Sequence, residues 1–289
     1  MGIEERFEYA TSRDPSLNYC LWPYQAPAPA EDKFRSVNLL YQTFATAGID
    51  ARAFAIVDAI RDGIGAFKTV FGVKLTDGRL GWEFYFYDYN RRQRLISMSR
   101  VLLAIRKFMP TRIGPNENLP YFMFSLDLND ALASGTAPLD VIHMYIGNPG
   151  SQVSSGIAYA VREDSIALEN FYFFFDARTQ LADVAGKIGS AAVFDDTVMS
   201  VDAVLRPELR RCQTICLANK QTHDCIYFSG VDVDQFQWFL DWLQYPSAVT
   251  EFVRANRSNL DHLLFDVGFD YRMAGDRLLV IKSGYYGVF

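Results

Sequence analysis

The chain has 289 residues, half of them hydrophobic and 15% aromatic, enough to bury the core of one large domain. Net charge is −6, with no basic run, which excludes sequence-independent nucleic-acid binding because that rests on cations neutralising phosphates. The opening MGIEERFEYA has no apolar core and no apolar run of 18 residues occurs, so neither a secretory signal nor a membrane span is expected.

Prolines at 15, 23, 27 and 29 keep residues 1–30 irregular. From Glu31, residues Phe34, Val37, Leu40, Tyr41 and Phe44 recur at three- and four-residue spacing, which predicts a helix ending at Gly48. A second helix is predicted over 51–61, stopped by Asp62-Gly63. Strands are expected over 67–75 and 82–89, joined at Thr76-Asp77-Gly78, because Asp-Gly supplies the positive φ of a tight hairpin. A helix over 92–108 places Leu95, Met98, Val101, Leu102 and Ile105 on one face, and Pro110 closes it.

Further hairpins read 121–128 with 141–146, then 156–162 with 168–176 around Glu163-Asp164-Ser165. Residues 181–194 form a helical connector to a fourth hairpin, 212–219 with 225–230. Asp232 starts a helix carrying Phe236, Phe239, Leu240 and Leu243. The last hairpin, 263–272 with 277–288, turns at Ala274-Gly275-Asp276.

The hairpin therefore recurs five times, separated by helical stretches. Ten antiparallel strands satisfy every edge only when the sheet closes. The expected class is α+β: a ten-stranded antiparallel barrel of five ββ-hairpin/helix repeats inside a coat of helices. No linker divides the sequence, so 1–289 reads as a single domain, with 31–289 forming the barrel and its helices.

Alternation along the strands sorts one aliphatic or aromatic side from one mixed side. Phe67, Thr69, Phe71 and Val73 go outward while Lys68, Gly72 and Lys74 face the lumen. Glu83, Tyr85 and Tyr87 face in, as do His143 and Tyr145; Asn170, Tyr172 and Phe174; Tyr227 and Ser229; Asp266, Gly268 and Asp270; and Lys282, Gly284 and Tyr286. Each second strand thus contributes at least one inward tyrosine. Tyrosine favours strands and wet faces for general reasons, yet a ring of phenols also suits a reactive cation, since π faces attract positive charge and exclude water. Cys20, Cys212, Cys216 and Cys225 suit a reduced cytoplasm, and the last three read as small buried groups rather than metal ligands.

This layout resembles the PT-barrel, or ABBA, prenyltransferases, most nearly the cyanobactin-type peptide enzymes. The run Asn170-Phe171-Tyr172-Phe173 resembles an Asn-Leu-Tyr-Phe run of soluble bacterial members. Lys282-Ser283-Gly284-Tyr285-Tyr286 resembles their Lys-x-Gly-x-Tyr-Tyr final strand, and Leu217-Ala218-Asn219-Lys220 with Ile226-Tyr227-Phe228 is similar to a stretch of the peptide enzymes.

The resemblance implies transfer of a dimethylallyl or geranyl group from an allylic diphosphate to an aromatic small molecule or a peptide side chain. Lys74, Lys282 and His143 would bind diphosphate. Tyr85, Tyr87, Tyr145, Asn170, Tyr172, Tyr227 and Tyr286 would line the lumen, and Glu83 would take the acceptor's proton. Where members usually carry further Arg or Lys on the lumen side of the fourth, sixth and eighth strands, this chain has His143, Leu168 and Cys225; Mg²⁺ held by Asp or Glu and the diphosphate oxygens is one way to supply the missing charge. The other reading of that thinner set is a non-catalytic barrel binding a hydrophobic or isoprenoid ligand. No terminal helix follows the last strand, which favours a peptide acceptor at an uncovered mouth; the Pro-rich start folded across that mouth is the alternative. The expected protein is a cytoplasmic monomer.

Overall fold

The computed structural model describes residues 2–89, 93–147 and 155–289. Its strands are β1 (Thr69–Thr76), β2 (Arg79–Tyr87), β3 (Met123–Leu128), β4 (Ile142–Gly147), β5 (Ser155–Val161), β6 (Ile166–Asp176), β7 (Thr214–Asn219), β8 (Asp224–Val231), β9 (Phe265–Ala274) and β10 (Arg277–Val288). All neighbours pair antiparallel in chain order, and β1 pairs with both β2 and β10, so the sheet closes into a ten-stranded barrel. Gly72 shows the closure, standing opposite Glu83 on one side and Tyr286 on the other.

The helices lie outside: α1 (Val37–Ala47), α2 (Arg52–Ile64), α3 (Met98–Ile105), α4 (Asp130–Ser134), α5 (Leu181–Gly189), α6 (Val233–Trp242), α7 (Ser247–Ala255) and α8 (Arg257–Leu260). Two apolar layers result. The larger joins helices to the outward strand faces through Phe44, Phe71, Phe84, Phe236 and Phe269. The smaller lies within the barrel and contains Val70, Tyr85, Tyr87, Tyr145, Tyr286 and Val288. Among the described residues, no helix is long and apolar enough to cross a membrane.

Several boundaries differ from the sequence expectation for local reasons. The first helix begins at Val37 rather than Glu31, because Asp32 is left-handed at φ 61° and Phe34 bridges to Tyr9. The second helix runs through Gly63 and stops at Gly65, whose φ is 98°. The helix expected over 92–108 shrinks to α3. Ser97 caps it, Arg94 is left-handed at φ 47°, and Leu95 is exposed; the expected start at Arg92 lies outside the described residues. The short α4 and the pair α7 and α8 were not expected. Phe67, at φ 59°, breaks the alternation and packs with the inner cluster instead of outward. Lys68 is exposed.

Candidate active site in the barrel lumen

The lumen holds a cavity of about 280 Å³ with two chemically distinct levels. The β1–β2, β5–β6, β7–β8 and β9–β10 turns all sit at the end nearest the upper level, where the side chains are ionic. Lys74 reaches Glu83 and lies 3.3 Å from Asp127 Oδ1. Next to it, His143 sits between Glu169 (2.7 Å from Nδ1) and Asp127 (3.4 Å from Nε2). Across the mouth, Asp270 Oδ2 receives Lys220 at 2.7 Å, His223 at 3.0 Å and Lys282 at 3.4 Å.

These contacts fix the charge states. Burial alone would depress the His143 imidazolium, but hydrogen bonds to Asp127 and Glu169 outweigh it and hold the pKa at about 10. Burial likewise opposes Lys74, yet the charges of Glu83 and Asp127 raise it. Asp270 is buried and still pulled far below the ordinary carboxylate range, by His223, Lys220 and Lys282. Lys282 moves the other way: burial lowers it, and the ammoniums of Lys74 and Lys220 lower it further. Three lysines thus face one another across the mouth, and Lys282 is the least well paired.

The lower level is aromatic. Tyr85, Tyr145, Tyr172, Tyr227 and Tyr286 line the cavity. Ring centroids lie 5.7 Å apart for Tyr85 and Tyr286, 6.1 Å for Tyr227 and Tyr286, and 5.9 Å for Tyr145 and Tyr172. Burial pushes all five phenols well above their ordinary pKa, so they stay neutral. Two strand glycines make room for the rings. A Cβ on Gly72 would come within 2.8 Å of Tyr286, and one on Gly268 within 2.4 Å of Tyr227.

Glu83 joins the levels. It is 4% exposed and accepts hydrogen bonds from the Lys74 ammonium, the Ser125 hydroxyl and the Tyr85 hydroxyl, the last at 2.7 Å. Its pKa is lowered despite burial, chiefly by Lys74. Asn170 donates to the Tyr172 hydroxyl at 3.1 Å.

The residues singled out from sequence therefore converge, with one difference of level: Tyr87 lies beneath the cavity, 3.8 Å through its hydroxyl from Cys20 Sγ. Others escaped notice. Ser125 and Asp127 follow from the same alternation applied to β3. Lys220 and His223 sit in the β7–β8 turn, where alternation carries no information. Glu169 is the extra residue of a bulge between Ala158 and Tyr159 of β5 and their partners Asn170 and Leu168. That bulge turns Glu169 into the mouth and leaves Leu168, read as facing the lumen, 41% exposed.

The far end of the barrel is filled by the N-terminal segment. A loop closed by a Leu17–Pro23 bridge inserts Tyr19, whose ring centroid lies 4.6 Å from Tyr286, 5.4 Å from Tyr85 and 6.0 Å from Tyr87. Its backbone N–H donates to Asp266 at 2.6 Å. The Pro-rich start thus covers the floor, while the ionic mouth faces water: side chains of Asp127, Lys282 and Glu169 are 41%, 32% and 28% exposed. Beside the mouth a wider groove of about 600 Å³ runs from Lys74 and Asp127 over Thr76, Arg79, Leu80 and Asn129.

Glu83, Asp127 and His143 bring ligand atoms within 4.8 Å of one another, the spacing of a metal site. Lys74 already contacts both carboxylates, and hydrogen bonds to Asp127 and Glu169 favour the protonated form of His143, so the three would have to give up these partners to hold a hard cation.

No protein-family model matches the chain, and no curated protein matches it. The fold itself defines the class: a closed ten-stranded antiparallel barrel built from ββ units and wrapped by helices, the layout of a PT-barrel.

Proposed function

We propose that the protein is a prenyltransferase that moves an allylic group from its diphosphate to an aromatic or peptide side-chain acceptor in the lumen. The observation that carries this reading is the convergence of Lys74, Lys220 and Lys282 over a chamber of five neutral phenols. A diphosphate between the ammoniums would relieve their mutual repulsion and place its hydrocarbon chain among the aromatic rings. Lys220 fills part of the deficit left by Leu168 and Cys225.

In the reaction the allylic C–O bond breaks and its electron pair leaves with the diphosphate, stabilised by the lysines. The phenol faces shelter the allylic cation from water. The acceptor's π electrons or heteroatom form the new bond, and the released proton passes to Glu83. A carboxylate of low pKa suffices, because the cationic adduct is a strong acid. The groove continuing outward from Lys74 and Asp127 favours an acceptor too large for the lumen, and so a peptide side chain over a free small aromatic.

One observation favours a second reading. The carboxylates of Glu83, Asp127, Glu169 and Asp270 already compensate the cations at the mouth, as in a barrel that holds a hydrophobic ligand without turning it over. The test is incubation with dimethylallyl diphosphate and a panel of indoles, phenols and Tyr- or Trp-containing peptides, with and without Mg²⁺. Transfer gives a product heavier by one isoprene unit. No product with any acceptor under either condition would leave the binding barrel as the account.

A further inference from the structure

We propose that Tyr19, contributed by the N-terminal loop and not by the barrel wall, sets the length of prenyl chain that the lumen accepts. The inference rests on the prenyl-transfer reading of the same cavity.

Three observations carry it. Tyr19 contacts Tyr85 and Tyr87 on β2 and Tyr286 on β10. It also packs against the inner cluster that contains Tyr145 on β4 and Ala158 on β5. Those strands lie on different sides of the closed sheet, so the side chain stands near the barrel axis, beneath the cavity. The loop is fixed from within: Asn18 Oδ1 accepts the Trp22 N–H at 3.1 Å, and the Leu21 N–H bonds the Asn18 carbonyl at 2.7 Å. Finally, Asp266 on β9, 3% exposed, accepts the Tyr19 N–H and ties the loop's tip to the wall. Asp266 is thereby a positioning residue for the floor.

A chain entering tail-first from the lysines meets the five phenols and then this ring. At about 280 Å³ the cavity is at the small end of those that bind small molecules, room for one isoprene unit and its diphosphate. Every further unit has to occupy the volume of Tyr19, next to Tyr87, Val70 and Val288. Because the floor belongs to a separate segment, its size can change without disturbing any strand register.

The test compares dimethylallyl and geranyl diphosphate as donors for full-length wild type, Tyr19→Ala, Tyr19→Val and Tyr19→Phe. Direct binding of the corresponding thiolodiphosphates is followed by calorimetry. Wild type is expected to prefer the five-carbon donor. Tyr19→Ala should raise the geranyl-to-dimethylallyl ratio of kcat/KM at least tenfold, Tyr19→Val should shift it in the same direction, and Tyr19→Phe should hold the wild-type ratio because the ring remains. Should Tyr19→Ala fail to fold, the Tyr19→Val shift and the calorimetric ratios decide the matter. A wild type that uses dimethylallyl diphosphate, with the ratio unmoved in Tyr19→Ala or Tyr19→Val, overturns the role of Tyr19 and leaves prenyl transfer standing. A wild type that neither binds nor uses either donor removes both.

Discussion

The two ends of this lumen solve opposite problems. At the mouth, buried charges would be ruinous if isolated, so each ammonium finds a carboxylate and the whole stays near water. At the floor the groups are neutral phenols, and what little charge exists is in Asp266, whose burial raises its pKa to about 6. The contrast teaches orientation. A molecule with an anionic head and an apolar tail has one sensible way to enter such a barrel, head at the lysines and tail at the tyrosines.

Substitutions at the mouth give the largest test of that division. Glu83→Gln removes the proton acceptor but keeps the shape, so turnover should fall by about 10²–10⁴-fold with the fold intact by circular dichroism. A variant retaining near-wild-type rates would move the base elsewhere. Lys282→Ala should act on donor affinity instead. Loss of one charged hydrogen bond, about 1.5–3 kcal/mol, corresponds to a rise of about 10- to 150-fold in the donor KM. An unchanged donor KM would place the diphosphate away from β10.

The remaining test reads stability against pH rather than turnover. His143 holds its proton to about 10 in the folded chain against 6.5 when free. Its contribution to stability is complete below 6.5 and is lost as pH rises through about 10. Asp266 titrates near 6 folded and 3.8 free, so stability falls as pH rises across that lower window. Denaturant melts should therefore show His143→Gln flattening the alkaline slope, and Asp266→Asn the acidic one. Exchange of those two windows between the variants would mean that mouth and floor have been confused.

Much of this division was legible in the residues. The recurring hairpins forced closure, and strict alternation put Lys74, Glu83, Tyr85, Tyr145, Tyr172, Tyr227, Lys282 and Tyr286 on one face. What alternation missed it missed for physical reasons. Glu169 is aimed by a bulge, and a one-residue slip reverses which side faces in. Lys220 and His223 stand in a turn, where no period exists. Tyr19 meets its partners across most of the chain's length, through an irregular segment without any period at all. Helix ends went astray where Asp32 and Arg94 take left-handed backbone angles that their residue types do not announce.

The most direct measurement is a crystal structure of the protein with dimethylallyl S-thiolodiphosphate bound. The account predicts diphosphate oxygens within hydrogen-bond reach of the Lys74, Lys220 and Lys282 ammoniums, with the five-carbon group lying among Tyr85, Tyr145, Tyr172, Tyr227 and Tyr286. A ligand bound outside the barrel, or one with its diphosphate directed toward Tyr19, would contradict it.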